Sequence, residues 1–215
     1  MSNNFETLGL FPVPVVRIKF KDHYKYNFSE VGKKDKKPDA WVDSVHTTFP
    51  NILDDDLIVP RTVRDSLMRD VKDAIVDVFQ QLNLPINIDF SQFWYNIYHD
   101  NQGQERHHHL SQVGQPVPLW AGIYYNKNAS PTKFFNSNSI SATQRYEGYA
   151  GSLLDACLSQ YGSPSVEDGD ILLFPPYLEH SVESKPHHKD KMRMTFSFNI
   201  DLLSIPVNGH EILPS

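Results

Sequence analysis

The stretch that decides the fold is Gly169-Asp170-Ile171-Leu172-Leu173-Phe174-Pro175-Pro176-Tyr177-Leu178-Glu179-His180-Ser181-Val182. The run Asp170 to Phe174 is short, apolar and bounded by turn residues, as a strand buried on both faces reads. Asp168-Gly169 supplies the turn before it. Pro175-Pro176 ends the strand and stiffens the chain ahead of His180. A rigid turn at that place holds His180 in a fixed orientation. The plain alternative is an ordinary loop or core histidine.

Working outward, the chain after Phe90 reads as strands. Phe90 to Tyr98, Leu119 to Tyr125 and Arg193 to Ile200 are the others. In the last, Arg193, Thr195, Ser197 and Asn199 share one face, and Met194, Phe196 and Phe198 share the other. The apolar face must pack on a core. The face carrying Arg193 then looks onto solvent or lines a cavity, where a guanidinium would grip a carboxylate with two parallel bonds.

Before this region, Val16, Ile18 and Phe20 alternate with Arg17 and Lys19 at the period of a half-buried strand. Lys21 to Pro50 shows little period and reads as loops with short strands. A helix follows, with Asp54, Asp55 and Asp56 favouring its positive end. Leu67, Val71, Ile75, Val78 and Leu82 form its apolar stripe, and Asn83 and Pro85 end it. Asn126 to Gly169 is a long Ser-, Asn- and Gly-bearing segment, a candidate lid with a short helix near Leu153 to Cys157.

Composition narrows the function. The chain has 215 residues and a net charge of −6, which disfavours general nucleic-acid binding through phosphates. The basic run Lys33 to Lys37 reads as a solvated loop. No apolar run reaches the roughly 20 residues that span a bilayer, and Met1 to Leu10 lacks the pattern of a secretory signal. Cys157 is the only cysteine, so no internal disulfide forms, in keeping with a reducing cytosol. No internal repeat or boundary divides the chain, which reads as one domain over 1–215.

Ten histidines are many for this length. Three of them, His107-His108-His109, follow the turn Asp100-Asn101-Gln102-Gly103. On a strand, His107 and His109 share a face and His108 turns away. A pair so placed can chelate iron, zinc, copper or nickel. Three exposed loop histidines are the plain alternative.

The order of these pieces resembles the Fe(II)- and 2-oxoglutarate-dependent oxygenase superfamily. It has a histidine pair after a strand, a distal histidine after Gly-Asp-x-Leu-x-Phe-Pro, and Arg-x-Thr on the next strand. The likeness spans about Phe90 to Ile200 and is strongest to the prolyl-hydroxylase-like branch and to small oxygenases often carried by bacteriophages. It implies a mainly β fold, a double-stranded β-helix (jelly roll) with its core at about 90–200 and one or more supporting helices packed outside.

The resemblance also implies a hydroxylase that turns 2-oxoglutarate into succinate and CO2. His107 and His180 become Fe(II) ligands. Arg193 binds the C5 carboxylate of 2-oxoglutarate, helped by Thr195 and Tyr125, and Tyr98 reaches the cosubstrate from the strand before the first ligand. No catalytic group beyond the metal ligands is implied. Core packing remains the plain reading of both tyrosines.

Two departures stand out. His109 occupies the position where the family carries Asp or Glu, so the ligand set becomes His107, His109 and His180; Asp100 and Glu105 lack the expected spacing to supply the carboxylate. An extra loop bearing His187 and His188 separates His180 from Arg193. Two other readings stay open: a cupin-like three-histidine metalloenzyme without 2-oxoglutarate, and a non-catalytic jelly-roll binding protein.

Overall fold

The computed structural model describes residues 13–26, 28, 45–49, 59–84, 86–99, 101–110, 117–136, 161–184, 192–207 and 210–212. The basic run at Lys33 to Lys37, the acidic triplet at Asp54 to Asp56, Asp100, the helix expected near Leu153 to Cys157, and His187 and His188 lie outside them.

Eleven strands and one α-helix are described. In chain order the strands are β1 (Val16–Lys19), β2 (His46–Thr47), β3 (Asn87–Tyr98), β4 (Gln104–His107), β5 (Trp120–Lys127), β6 (Lys133–Phe135), β7 (Tyr161–Gly162), β8 (Asp170–Phe174), β9 (His180–Val182), β10 (Arg193–Val207) and β11 (His210–Ile212). The helix α1 (Arg61–Gln81) precedes β3. The larger sheet runs β1-β8-β5-β10-β3-β2, with β11 paired to β10. The smaller runs β4-β9-β6-β7. All described pairings are antiparallel. Two facing antiparallel sheets with these crossovers form the jelly roll. β1 and β2 join the larger sheet from well before residue 90.

Alternation along β3, β10 and β5 divides the larger sheet into two faces. Phe93, Tyr95, Ile97, Tyr124, Ile171, Leu173, Met194, Phe196, Phe198 and Ile200 pack on α1 through Leu67, Val71, Ile75 and Phe79. Full burial of each such helix side chain contributes about 1.5–3 kcal/mol. Ala121, Ile123, Tyr125, Leu172 and Phe174 face the other way and meet Phe134 of the smaller sheet.

The helix differs from expectation in its stripe. Successive four-residue steps carry burial through Ile75 to Phe79, which is 1% exposed, while Leu82 is 52% exposed. An α-helix turns 400° in four residues, so repeated steps drift slowly around the axis; against this sheet the larger Phe79 ring wins the contact over Val78. Asn83, at φ 56, closes the end. The Asn83 N–H bonds the Gln80 carbonyl and the Leu84 N–H reaches back to the Phe79 carbonyl, a Schellman stop.

The candidate lid also differs. Its described ends are not loop: they supply β6 and β7, because Phe134 is buried against Phe174 and His180. Residues 137–160 lie outside the described part. The turn before β8 is as expected, with Gly169 at φ 91, a conformation costly to a residue with a Cβ.

Candidate metal centre

The first histidine sits at the end of β4, opposite His180 at the start of β9. His109 lies two residues beyond the strand, where its backbone N–H bonds the Pro176 carbonyl at 2.7 Å. The Pro175-Pro176 turn therefore fixes both sides of the cluster: it leads into β9, and it anchors the third histidine. One ring nitrogen from each of His107, His109 and His180 lies within 4.8 Å of the other two. His108 is exposed and points away. No carboxylate belongs to this cluster among the described residues, and the Glu105 backbone carbonyl accepts from His107.

Each ring has an acceptor for Nδ1–H. His107 Nδ1 donates to the Glu105 carbonyl at 2.8 Å and His180 Nδ1 to the Leu178 carbonyl at 3.0 Å. His109 Nδ1 lies 2.6 Å from Asn199 Oδ1. Donation from Nδ1 leaves the Nε2 lone pair for a ligand. Gln104, whose amide oxygen accepts from the Tyr98 hydroxyl at 3.0 Å, places its Nε2 3.4 Å from His107 Nε2.

Burial makes these histidines hard to protonate. It lowers the His107 pKa, and with help from His107's charge it pushes His109 down to about 4. His180 lies well below the ordinary value, first through burial and then through His107 and His109. Three neutral imidazoles around one point suit a divalent transition metal, whose binding then displaces no protons at neutral pH.

Beside the histidines lies a polar strip on the inner face of the larger sheet. Arg193 is 1% exposed and pairs in register with Tyr98, and Thr195 pairs with Tyr125. The guanidinium stands 4.9 Å from the Tyr98 ring centre and 5.7 Å from that of Tyr125. Its Nε and Nη1 have no hydrogen-bond partner. Burying a cation with idle donors is costly unless an anion completes the site. The Tyr125 hydroxyl meets Thr132 Oγ1 at 2.7 Å. Burial raises the Tyr98 pKa to about 12 and also raises that of Tyr125, in each case against the pull of Arg193. Both hydroxyls therefore stay protonated. Farther along the strip, Trp94 Nε1 and Asn96 Oδ1 are likewise buried and unpaired.

The structure thus brings together His107, His109, His180, Tyr98, Tyr125, Arg193 and Thr195. Sequence reading placed Asn199 on the inner face without giving it a partner, and passed over Gln92 and Gln104. Their roles arise from register between strands distant in sequence, though the alternation of β3 puts Gln92 on the Tyr98 face.

Residues 92–199, half the chain, match the family described as "Putative 2OG-Fe(II) oxygenase". Among solved structures the fold is similar to HygX from Streptomyces hygroscopicus with nickel and 2-oxoglutarate bound, at 11% identity over 88% of this chain and 83% of that one, TM-score 0.54. It is also similar to the carbocyclase SnoK from nogalamycin biosynthesis, at 8% identity over 92% and 83%, TM-score 0.53. A third similar structure is OsALKBH1, at 12% identity over 89% and 100%, TM-score 0.51. No curated protein matches the sequence. Identities this low speak to fold alone, while the family match runs from Gln92 within β3 to Asn199 within β10 and includes the three clustered histidines and the buried arginine. With a jelly roll, a cluster of three histidines and a buried arginine within the matched residues, the chain belongs to the 2OG-Fe(II) oxygenases, and its cofactors are Fe(II) and 2-oxoglutarate.

Proposed function

We propose that the protein is a hydroxylase whose Fe(II) ligands are His107, His109 and His180 and whose cosubstrate anchor is Arg193. When bound, iron and 2-oxoglutarate together let O2 oxidise the cosubstrate to succinate and CO2 while one oxygen atom enters a substrate C–H bond.

The chain's own residues then have defined tasks. Arg193 offers its idle Nε and Nη1 donors to the C5 carboxylate in a region closed to water. Tyr98 and Tyr125 flank the guanidinium and keep its plane in place, and Thr195 lies between them on the same strip. Tyr125 beside the anchoring arginine is the feature that favours the prolyl-hydroxylase-like branch. Phe134 and Phe174 pack on His180, and Phe174 and Trp94 on His109, so the metal side is walled by aromatic rings. These walls exclude water and hold the imidazoles in place.

The observation that carries this reading is the pair of unpartnered, buried Arg193 nitrogens on the strip beside the histidine cluster. Anaerobic titration with Fe(II) and then 2-oxoglutarate tests it. A weak visible charge-transfer band is expected in the wild type and is lost in both His180→Ala and Arg193→Ala. Metal uptake without the band supports the cupin-like alternative, and no metal uptake removes both.

A further inference from the structure

We propose that Gln92 and Asn199 are positioning residues that present His109 to the metal as a neutral Nε2 ligand, so that this chain works with a three-histidine face. The inference rests on reading the histidine cluster as the metal centre.

A carboxylate binds metal through either oxygen, whereas a histidine binds only when the ring is oriented and the right nitrogen is free. His107 and His180 solve this locally. Each donates Nδ1–H to the carbonyl two residues earlier. His109, two residues past the end of β4, is not bonded in this way to the carbonyl of His107. Its acceptor comes instead from β10, ninety residues on: Asn199 Oδ1, at 2.6 Å.

Asn199 is itself held. Its Nδ2 donates to Gln92 Oε1 at 2.6 Å, and the two residues are register partners across β3 and β10. The direction of the chain of bonds follows: Gln92 accepts from Asn199, and Asn199 accepts from His109. A reversed chain would require His109 to carry its proton on Nε2, which would block ligation. Trp94 at 5.8 Å and Phe174 at 6.0 Å, between ring centres, confine the imidazole from two sides. Asn199 is 8% exposed, so a packed sheet sets the geometry. The acceptor is a neutral amide, which leaves His109 a neutral ligand. The metal then keeps its full double charge, which the C1 carboxylate of the cosubstrate offsets in part while Arg193 takes the C5 carboxylate.

The test uses the full chain, with Co(II) as probe for affinity and Zn(II) for nitrogen-15 spectra of the histidines. Three Nε2-ligated, Nδ1-protonated rings are expected in the wild type. Asn199→Leu and Gln92→Leu should weaken Co(II) binding by about 10- to 100-fold. Asn199→Asp keeps the acceptor and should retain affinity. In a His109→Asp background, Asn199→Leu should no longer matter. Circular dichroism melting confirms that each variant compared is folded. Unchanged Co(II) affinity in folded Asn199→Leu, or an Nε2-protonated His109, overturns the inference and leaves the metal centre standing. Failure of the wild type to bind Co(II) overturns both.

Discussion

His107 and His180 stand opposite one another on paired strands β4 and β9, with ring centres 4.3 Å apart, although 73 positions separate them in the chain. A metal held by both ties the edge of the smaller sheet to the strand behind it. Metal bound only by the folded protein stabilises it by mass action. At a hundred times the dissociation constant this is about 2.7 kcal/mol, or about 5–10 °C in a domain of this size. Chelation should lower the melting temperature by that amount, and His180→Ala should remove the response. Differential scanning calorimetry with and without Co(II) makes the comparison.

Arg193 invites a prediction of mixed sign. Replacing it with Met removes the proposed anchor for 2-oxoglutarate, and loss of one partner of a buried charged pair costs about 2–5 kcal/mol. Cosubstrate affinity should fall at least about 30-fold by titration calorimetry. The free protein, however, sheds a buried cation with two idle donors. Arg193→Met without ligands should melt no lower than wild type.

Acid should destabilise the metal-free protein through its histidines. The folded pKa of His109 is depressed, to about 4, from an ordinary 6.5. Below 6.5 the unfolded chain takes up a proton that the folded chain refuses, so stability falls as pH drops from about 6.5 to about 4. For His109 alone the loss is on the order of 3 kcal/mol. Urea unfolding of chelated protein at pH 7.5 and pH 4.5 measures it, and His109→Asn should flatten the dependence.

Core positions are expected to separate sharply. Phe79→Ala should cost about 3–5 kcal/mol, whereas Leu82→Ala should stay within about 0.5 kcal/mol. Gly122→Ala sets a new carbon only 2.2 Å from Phe198 Cε2. It should cost about 1–3 kcal/mol or prevent folding, as read by soluble yield and denaturant midpoint.

Much of this architecture was legible in the sequence because its signals are local. Alternation in β10 separates Arg193, Thr195, Ser197 and Asn199 from Met194, Phe196 and Phe198, and the structure keeps that division. The strand from Asp170 to Phe174 matches its expected bounds. Neighbouring strands run longer than read, β3 starting at Asn87 and β10 reaching Val207, since pairing with a partner extends a strand past its apolar run. The clustering of His107, His109 and His180 could be proposed only through a resemblance, because it depends on β4 lying beside β9. The Gln92–Asn199–His109 chain was out of reach for the same reason. It needs the register of β3 on β10 and the place of a loop histidine above them.

Trp94 adds something of practical use. Its indole is buried against His109, while Trp120 packs near Phe79 toward the helix side of the sheet. A paramagnetic ion arriving at His109 should therefore quench the emission of Trp94 much more than that of Trp120, while Trp41, the third tryptophan, lies outside the described residues. The protein carries its own optical gauge of metal occupancy, readable at micromolar concentration without any added dye.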